Sequence, residues 1–309
     1  MPQTRDGFYP SCIEKGLRSE RALKVSLAQM YLQGVSTRKV AKITEELCGF
    51  EVSKSQVSQV SKELDEEFEK WRQRPLKTYL YLWLDARYEK VRHDGHVIDC
   101  AVLIAKGVDD NGHRDILGVS VSLSEAEEHW GRFLQSLIDR GLRDVKLIIS
   151  DSHSGLRAAR RKIFPGIPWQ RCQFHLQQNA GAYVTRKKQR AILGSEIRQI
   201  FNAATLQDAE KFLKELVNKY AKSNPKLSKW LEENIPEGLT VFNEKIPIEH
   251  QRRLRTSNPL ERVNKEIKRR TRVACIFPNE AACLRLVTAV LIEISEDWLE
   301  RRAYLSMKK

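Results

Sequence analysis

The sequence has no run of eighteen apolar residues, so no membrane-spanning helix is predicted. Its longest apolar stretches, such as AVLIA at 101–105, are the size of a strand. The opening MPQTRDGFYP lacks the apolar segment of a signal peptide, and secretion is not expected. Six cysteines, at 12, 48, 100, 172, 275 and 283, never form a CxxC pair. In a cytosolic chain the expectation is therefore that most are reduced, buried small hydrophobes rather than a disulfide framework. Acidic residues are missing from one long stretch: residues 157–190 hold nine Lys/Arg and no Asp or Glu.

What is present is a globular composition. Of 309 residues 41% are hydrophobic and 30% charged, which excludes wholesale disorder, and the length suggests two or three domains. The net charge is +14, from 54 Lys+Arg against 40 Asp+Glu. A second basic segment, 245–275, holds ten Lys/Arg against three Glu. Together the two segments exceed the excess of the whole chain, and the remainder is slightly acidic. Either they are solvated helix faces, or they form a phosphate-binding surface built from two distant parts of the chain.

Residues 18–74 read as helical. Ser19 to Gln33 has helical spacing with Gly34 as its stop, TRKVAKITEEL follows, and Ser53 with Gln56 makes a capping box. Val57, Val60, Leu64, Phe68 and Trp71 then recur along one helix face. Three helices joined by short turns suggest a helix-turn-helix module, whose last helix would present Ser53, Lys54, Gln56 and Gln59 to DNA. A plain helical bundle with a polar face fits the same pattern.

After Pro75 strands take over: YLYLWLD at 79–85, VIDCAVLIAKGVD at 97–109 and DILGVSVSL at 115–123, with an Asn111-Gly112 hairpin turn between the last two. A helix closed by Gly141 follows, then the buried strand VKLIISD at 145–151, a short helix from Ser154 to Ile163, and a strand in IPWQRCQFH. This order predicts an α/β, ribonuclease-H-like mixed sheet with flanking helices. No strand is predicted over 176–250, where Thr205 and Asp208 form a capping box, Pro225 starts a helix and Gly238 stops it. A final pair of helices runs from Pro259 and from about Glu280 to Tyr304.

Three acids stand out. Asp85 and Asp151 each end an apolar strand; a half-buried carboxylate needs compensation, and a hard divalent cation such as Mg²⁺ or Mn²⁺ supplies it. Strand-end aspartates capping their own turns are the alternative for both. Glu261 follows Asn258 and Pro259 as the last member of a capping box, yet shares a polar face with Asn264, Lys265 and Lys268 beside the buried stripe Leu260, Val263, Ile267. From there it could also reach a metal beside the two aspartates. Cys172 and His175 have a C-x2-H spacing, too little for zinc; a structural hydrogen bond or packing beneath the sheet is the expectation.

GVSTRKVAKITEELCG, LDARYEKVR, IISDSHSGLRAA, WQRCQFHLQQNA and TSNPLERVNKEIKRRT occur in this order along nearly the whole chain. In them the chain resembles the Mutator-type bacterial insertion-sequence transposases, a branch of the D-D-E transposases. The resemblance implies a ribonuclease-H-like core with Asp85, Asp151 and Glu261 as catalytic and metal-binding triad, holding two Mg²⁺ ions with Mn²⁺ as a substitute. It marks Cys172 and His175 as a family signature. It further implies nicking at the element's ends and joining of the 3′-hydroxyl to target DNA. The partners would be double-stranded DNA, as terminal inverted repeats and target, and further copies of the chain, at least a dimer when ends are synapsed. The location would be cytoplasmic and nucleoid-associated.

The units expected are a helical DNA-binding module at 1–75, the first part of the core at 76–190, a helical insertion at 191–250 and closing helices at 251–309. Family members usually carry more sequence ahead of FYPSCIEKGLRSERALK; either this is a truncated or decayed copy lacking part of the repeat-binding region, or it simply starts later. Backbone contacts are expected from Arg160, Arg161, Lys265, Lys268, Arg269 and Arg270. A catalytically inactive transposase-derived regulator and a nuclease acting on RNA or junctions are the competing readings.

Overall fold

The computed structural model describes Ser26, Leu27, Met30, Gln33, Val35, residues 37–48 and residues 64–307. Ser53, Lys54, Gln56 and Gln59, and with them the DNA-reading part of the expected helix-turn-helix, lie outside the described residues. Helix α1 (Thr37–Cys48) falls where TRKVAKITEEL predicts it. Helix α2 (Asp65–Arg72) buries Phe68 and is held to the body of the protein by Arg285, whose guanidinium donates two hydrogen bonds to the Asp65 carboxylate at 2.6 Å.

Five strands form one mixed sheet in the order β3-β2-β1-β4-β5. β1 (Tyr79–His93), β2 (His96–Asp109) and β3 (Arg114–Ser122) are an antiparallel meander. β4 (Leu147–Ser150) and β5 (Trp169–Arg171) run parallel to β1. Parallel neighbours need crossovers; α3 (Glu127–Asp139) and α4 (Ser154–Ile163) supply them.

Two expectations change here, while the cysteines largely follow theirs. β1 does not end at Asp85 but continues to His93, because its second half still pairs with β2, residue for residue, to the turn at Asp94-Gly95. The strand expected in IPWQRCQFH is three residues long, and Gln173 already begins helix α5 (Gln173–Ala180). Cys275 is exposed, while Cys100, Cys172 and Cys283 are buried free thiols.

The pleat divides the core. Tyr81, Trp83 and Ile149 face α10 (Asn258–Thr271) and α11 (Glu280–Glu300). Leu82, Leu84 and Ile148 face α3 and α4. This is the alternation expected of strands covered on both sides. Helices α5, α6 (Lys187–Phe201), α7 (Leu206–Ala221) and α8 (Pro225–Asn234) close on an apolar core of their own, from Leu176 to Leu239. Among the described residues 176–250 contain no strand. Thr205 caps α7 through the Asp208 amide at 3.1 Å, and Asn224 caps α8 ahead of Pro225. Both ends of this helical unit return to β5: Gln170 and Gln173 each donate to the Gly238 carbonyl at 2.8 Å. Helix α9 (Ile248–Leu254) then leads to α10. Among the described residues no helix is long and apolar enough to cross a membrane.

Candidate active site

The register of the parallel strands builds the site. Leu84 pairs with Ser150, and Ser150 with Arg171. Continuing by one residue sets Asp85, Asp151 and Cys172 in a row across neighbouring strands, about 4.8 Å apart from strand to strand. By the pleat all three side chains leave the sheet on the side that α10 covers.

Asp85 is half-buried. Its Oδ1 accepts from the Ala86 amide at 3.0 Å and its Oδ2 from Asn264 Nδ2 at 2.8 Å. Burial pushes its carboxyl up to about 7, with the Asp151 and Glu125 charges adding to the rise and the Ala86 and His175 contacts opposing it. Asp151 accepts from the Ser152 amide at 2.7 Å, so it serves its own turn and still stands beside Asp85. Glu125 was not singled out by sequence. It sits just ahead of α3, 3.6 Å from His153, and only the placement of α4 brings it here: a Cβ on Gly155 would lie 2.0 Å from the Glu125 carbonyl oxygen. No local sequence signal marks that approach.

Glu261 lies in the first turn of α10. The capping box expected around Asn258 does not form; the helix is capped one residue earlier, by Ser257, whose carbonyl accepts from the Leu260 and Glu261 amides at 2.7 and 3.1 Å. The Glu261 carboxylate is thereby left out of the cap. Its Oε1 is buried with no hydrogen-bond partner, an expensive state for a carboxylate oxygen. Leu260, Val263 and Ile267 form the buried stripe as expected. Along the opposite edge α10 is tied to β1 by Asn264 on Asp85, by Arg87 donating to the Asn264 carbonyl, and by Thr271 on Glu89 at 2.9 Å.

Cys172 and His175 belong to the same place. The Cys172 amide donates to the Ser150 carbonyl at 2.8 Å, and its sulfur accepts from the Ser257 amide and hydroxyl, both at 3.2 Å. The Cys172 contact raises His175 to about 9, with burial opposing and the Asp151 and Asp85 charges helping. The Cys172 thiol is held below its ordinary value although burial pulls it up, because His175 and Ser257 both favour the thiolate.

The donor set suits a hard cation: carboxylates on adjacent strands, one within β1 and one just past the end of β4, the first held near neutral by burial, and an orphaned carboxylate oxygen on the covering helix. Among the described residues no three His, Cys, Asp or Glu side chains are yet close enough to hold one ion.

The basic residues divide differently from expectation. Arg161, Lys265, Lys268 and Arg269 are exposed. Arg160 and Arg270 are buried and do not face solvent: Arg160 lies 4.9 Å from the Trp169 ring, and Arg270 is paired with Glu266 and Glu293. Arg157 and Arg171 are bound to Glu237 at 2.7 and 3.0 Å. A run of like charge in sequence thus becomes partly internal glue for the helical unit. A second arginine-rich surface lies elsewhere. Arg114, Arg252, Arg253, Arg262 and Arg301 line a cleft of about 610 Å³ along the flank of α10, together with Glu266 and Asp297, and Arg301 is paired with Asp297 at 2.8 Å. Arg114 stacks on Trp298 and Tyr304, and Arg252 and Arg262 have no acidic partner among the described residues.

The comparisons agree with one another. Residues 1–301 match the family described as transposase, Mutator family. The transposase for insertion sequence element IS406 of Burkholderia multivorans is 53% identical over 309 residues, covering 99% of this chain and 79% of that protein. The transposase of ISRM5 from Rhizobium meliloti is 45% identical, covering 99% and 77%. That of IS256 in transposon Tn4001 of Staphylococcus aureus is 37% identical, covering 100% and 80%.

Proposed function

The chain belongs to the Mutator family of transposases, and on that premise we propose that it nicks the ends of its mobile element and joins the freed 3′-hydroxyl to target DNA, with Asp85, Asp151 and Glu261 as catalytic acids. The observation that carries this reading is the α10 crossing. Ser257 is docked on Cys172, beyond β4, and Asn264 on Asp85 in β1. Seven residues of helix rise about 10 Å, which matches about two strand spacings. On that arithmetic Glu261, four residues from Ser257, would lie toward the middle strand, which supports grouping it with Asp151. Strand order and direction support reading the sheet as ribonuclease-H-like; the units proposed are 1–75, 76–190, 191–250 and 251–309, with the helical unit beginning earlier than 191, at α5 (Gln173–Ala180).

Asp85, Asp151 and Glu261 would hold Mg²⁺, two ions in the reading we favour, with Mn²⁺ as a substitute. When bound, the metal would supply an activated water or 3′-hydroxyl and stabilise the leaving oxygen of an in-line displacement. The chain's own residues prepare this. Asn264 and the Ala86 amide orient Asp85, the Ser152 amide orients Asp151, and the His175 charge offsets part of the acid cluster. Arg161, Lys265, Lys268, Arg269 (which Glu266 holds at 2.6 Å) and the arginine cleft are the proposed holders of DNA phosphates, with Ser53, Lys54, Gln56 and Gln59 as the proposed sequence readers. The partners proposed are the element's terminal inverted repeats, target DNA and a second copy of the chain at synapsis. Nothing in the site favours an inactive regulator.

Duplexes made from the DNA flanking the coding sequence test the proposal. The wild-type protein should nick them only with Mg²⁺ or Mn²⁺, while Asp85→Asn, Asp151→Asn and Glu261→Gln should each abolish nicking and leave DNA affinity within about threefold. Strand transfer retained by any of the three would remove that residue from the mechanism.

A further inference from the structure

Of the C-x2-H pair, the proposed chemistry gives His175 a charge to offset and leaves Cys172 without a task. The cysteine sits at a junction. Through its amide it holds Ser150, the residue before Asp151, at 2.8 Å; through its sulfur it holds Ser257, the cap of the Glu261 helix, by two hydrogen bonds of 3.2 Å. The next residue repeats the link, since the Gln173 amide donates to the Arg255 carbonyl at 3.0 Å. Ser257 in turn accepts from the Glu261 amide. An unbroken path of short contacts therefore runs from the second acid to the third across 110 residues of sequence, and the thiol is its middle.

The chemistry of the position is specific. Cys172 is fully buried, so the Ser257 amide and hydroxyl have no water to turn to if the acceptor is lost. Sulfur is a weak acceptor as a thiol and a strong one as a thiolate, and the neighbouring His175 favours the stronger form. At the other end of the same helix segment Asn264 grips Asp85. Two fixed points seven residues apart determine both where α10 lies and how far it is turned about its axis. With the Ser257 anchor loosened, the buried stripe and the Asn264 end would still hold α10 to the sheet, but its first turn, which carries Glu261, would lose its polar anchor.

We propose that Cys172 is a positioning residue: its buried sulfur, gripping Ser257, sets the height and rotation of α10 so that Glu261 stands over Asp85 and Asp151. The sulfur touches neither substrate nor the reacting atoms, and no bond to it is made or broken. This rests on the catalytic reading above, and the experiment separates the two.

Cys172→Ala, Cys172→Ser and Ser257→Ala are compared with wild type in single-turnover nicking of the flanking-DNA duplexes with Mn²⁺, in DNA affinity without divalent ions, and in amide hydrogen exchange at 257–261. Loss of an orienting partner of this kind costs about 10–100-fold. Cys172→Ala should nick about 10–100-fold more slowly, with DNA affinity within about twofold and faster exchange at 257–261 but not in β4. Cys172→Ser keeps an acceptor and should recover part of the rate. Ser257→Ala, which keeps the amide bond, should lose about threefold, and it decides the question if Cys172→Ala does not fold. Unchanged exchange at 257–261 in both Cys172→Ala and Ser257→Ala, or equal loss of rate and of DNA binding in the Ala and Ser variants, overturns the inference. A wild-type protein that cannot nick overturns the catalytic reading instead, and the exchange comparison then decides this one alone.

Discussion

Asp85→Asn should make the metal-free protein more stable at pH 8 while abolishing its chemistry. Burial lifts the Asp85 carboxyl from an ordinary 3.8 to about 7, so the folded chain binds a proton there that the unfolded chain releases. Between about pH 4 and 7 the folded state holds more protons, and stability falls as pH rises. Above pH 7 the fold carries an ionised, half-buried carboxylate. A shift of that size is worth at most about 4 kcal/mol, and partial exposure to solvent brings a working figure to about 2 kcal/mol. Asparagine removes the charge and loses no hydrogen bond. Its carbonyl can accept from the Ala86 amide as Asp85 does. Its amide can donate to Asn264 Oδ1, a buried atom with no partner in the wild type, once the Asn264 amide turns over. For a chain of this length 2 kcal/mol moves Tm by about 3 °C. Thermal melts from pH 4 to pH 8 without divalent ions read this directly. The two proteins should melt together near pH 4, separate through pH 5–7 and stay apart above it. Groups remote from Asp85 titrate alike in both, so the difference reports Asp85 together with His175, whose charge Asp85 supports. Mn²⁺ should raise the Tm of the wild type and leave the variant where it is. Equal melting at pH 8, or a variant that is less stable at every pH, would refute the reasoning.

Two further outcomes test other parts of the molecule. Arg252→Ala and Arg262→Ala should each lower the slope of log affinity against log salt by about one, measured by fluorescence anisotropy on any duplex; Arg160→Ala, whose guanidinium is buried against Trp169, should leave that slope alone and lower Tm. Gly155→Ala should cost about 3 kcal/mol in urea unfolding, because its Cβ would lie 2.0 Å from a backbone oxygen; a neutral effect would show that α4 is not pressed against Glu125.

Much of the fold was legible because its signals are local. The apolar strands, the Thr205 cap, the Pro225 helix start and the Leu260–Val263–Ile267 stripe each declare themselves within a few residues, and each stands where its pattern puts it. What failed depended on distant partners. β1 outruns its apolar half because β2 keeps pairing with it. The Glu261 helix is capped at Ser257 rather than Asn258 because Ser257 is fixed by Cys172, 85 residues away. Asp151 was readable from its strand end and all three acids from family resemblance, but Glu125 was not, since only the close approach at Gly155 brings it in. The basic runs were readable as charge and not as surface: a side chain's sign is local, whereas whether Glu237 or Glu266 consumes it is a tertiary fact.

The helical unit from α5 to α8 leaves β5 and comes back to it, with Gln170 and Gln173 both closing on the Gly238 carbonyl. Its entrance and exit are thus a single gate in space, and its interior is its own. Whatever is built between those two posts, longer, shorter or differently shaped, leaves the spacing of the sheet and α10 untouched. The segment is in effect an interchangeable cassette, free to take on a new surface without retuning the acids on either side of it.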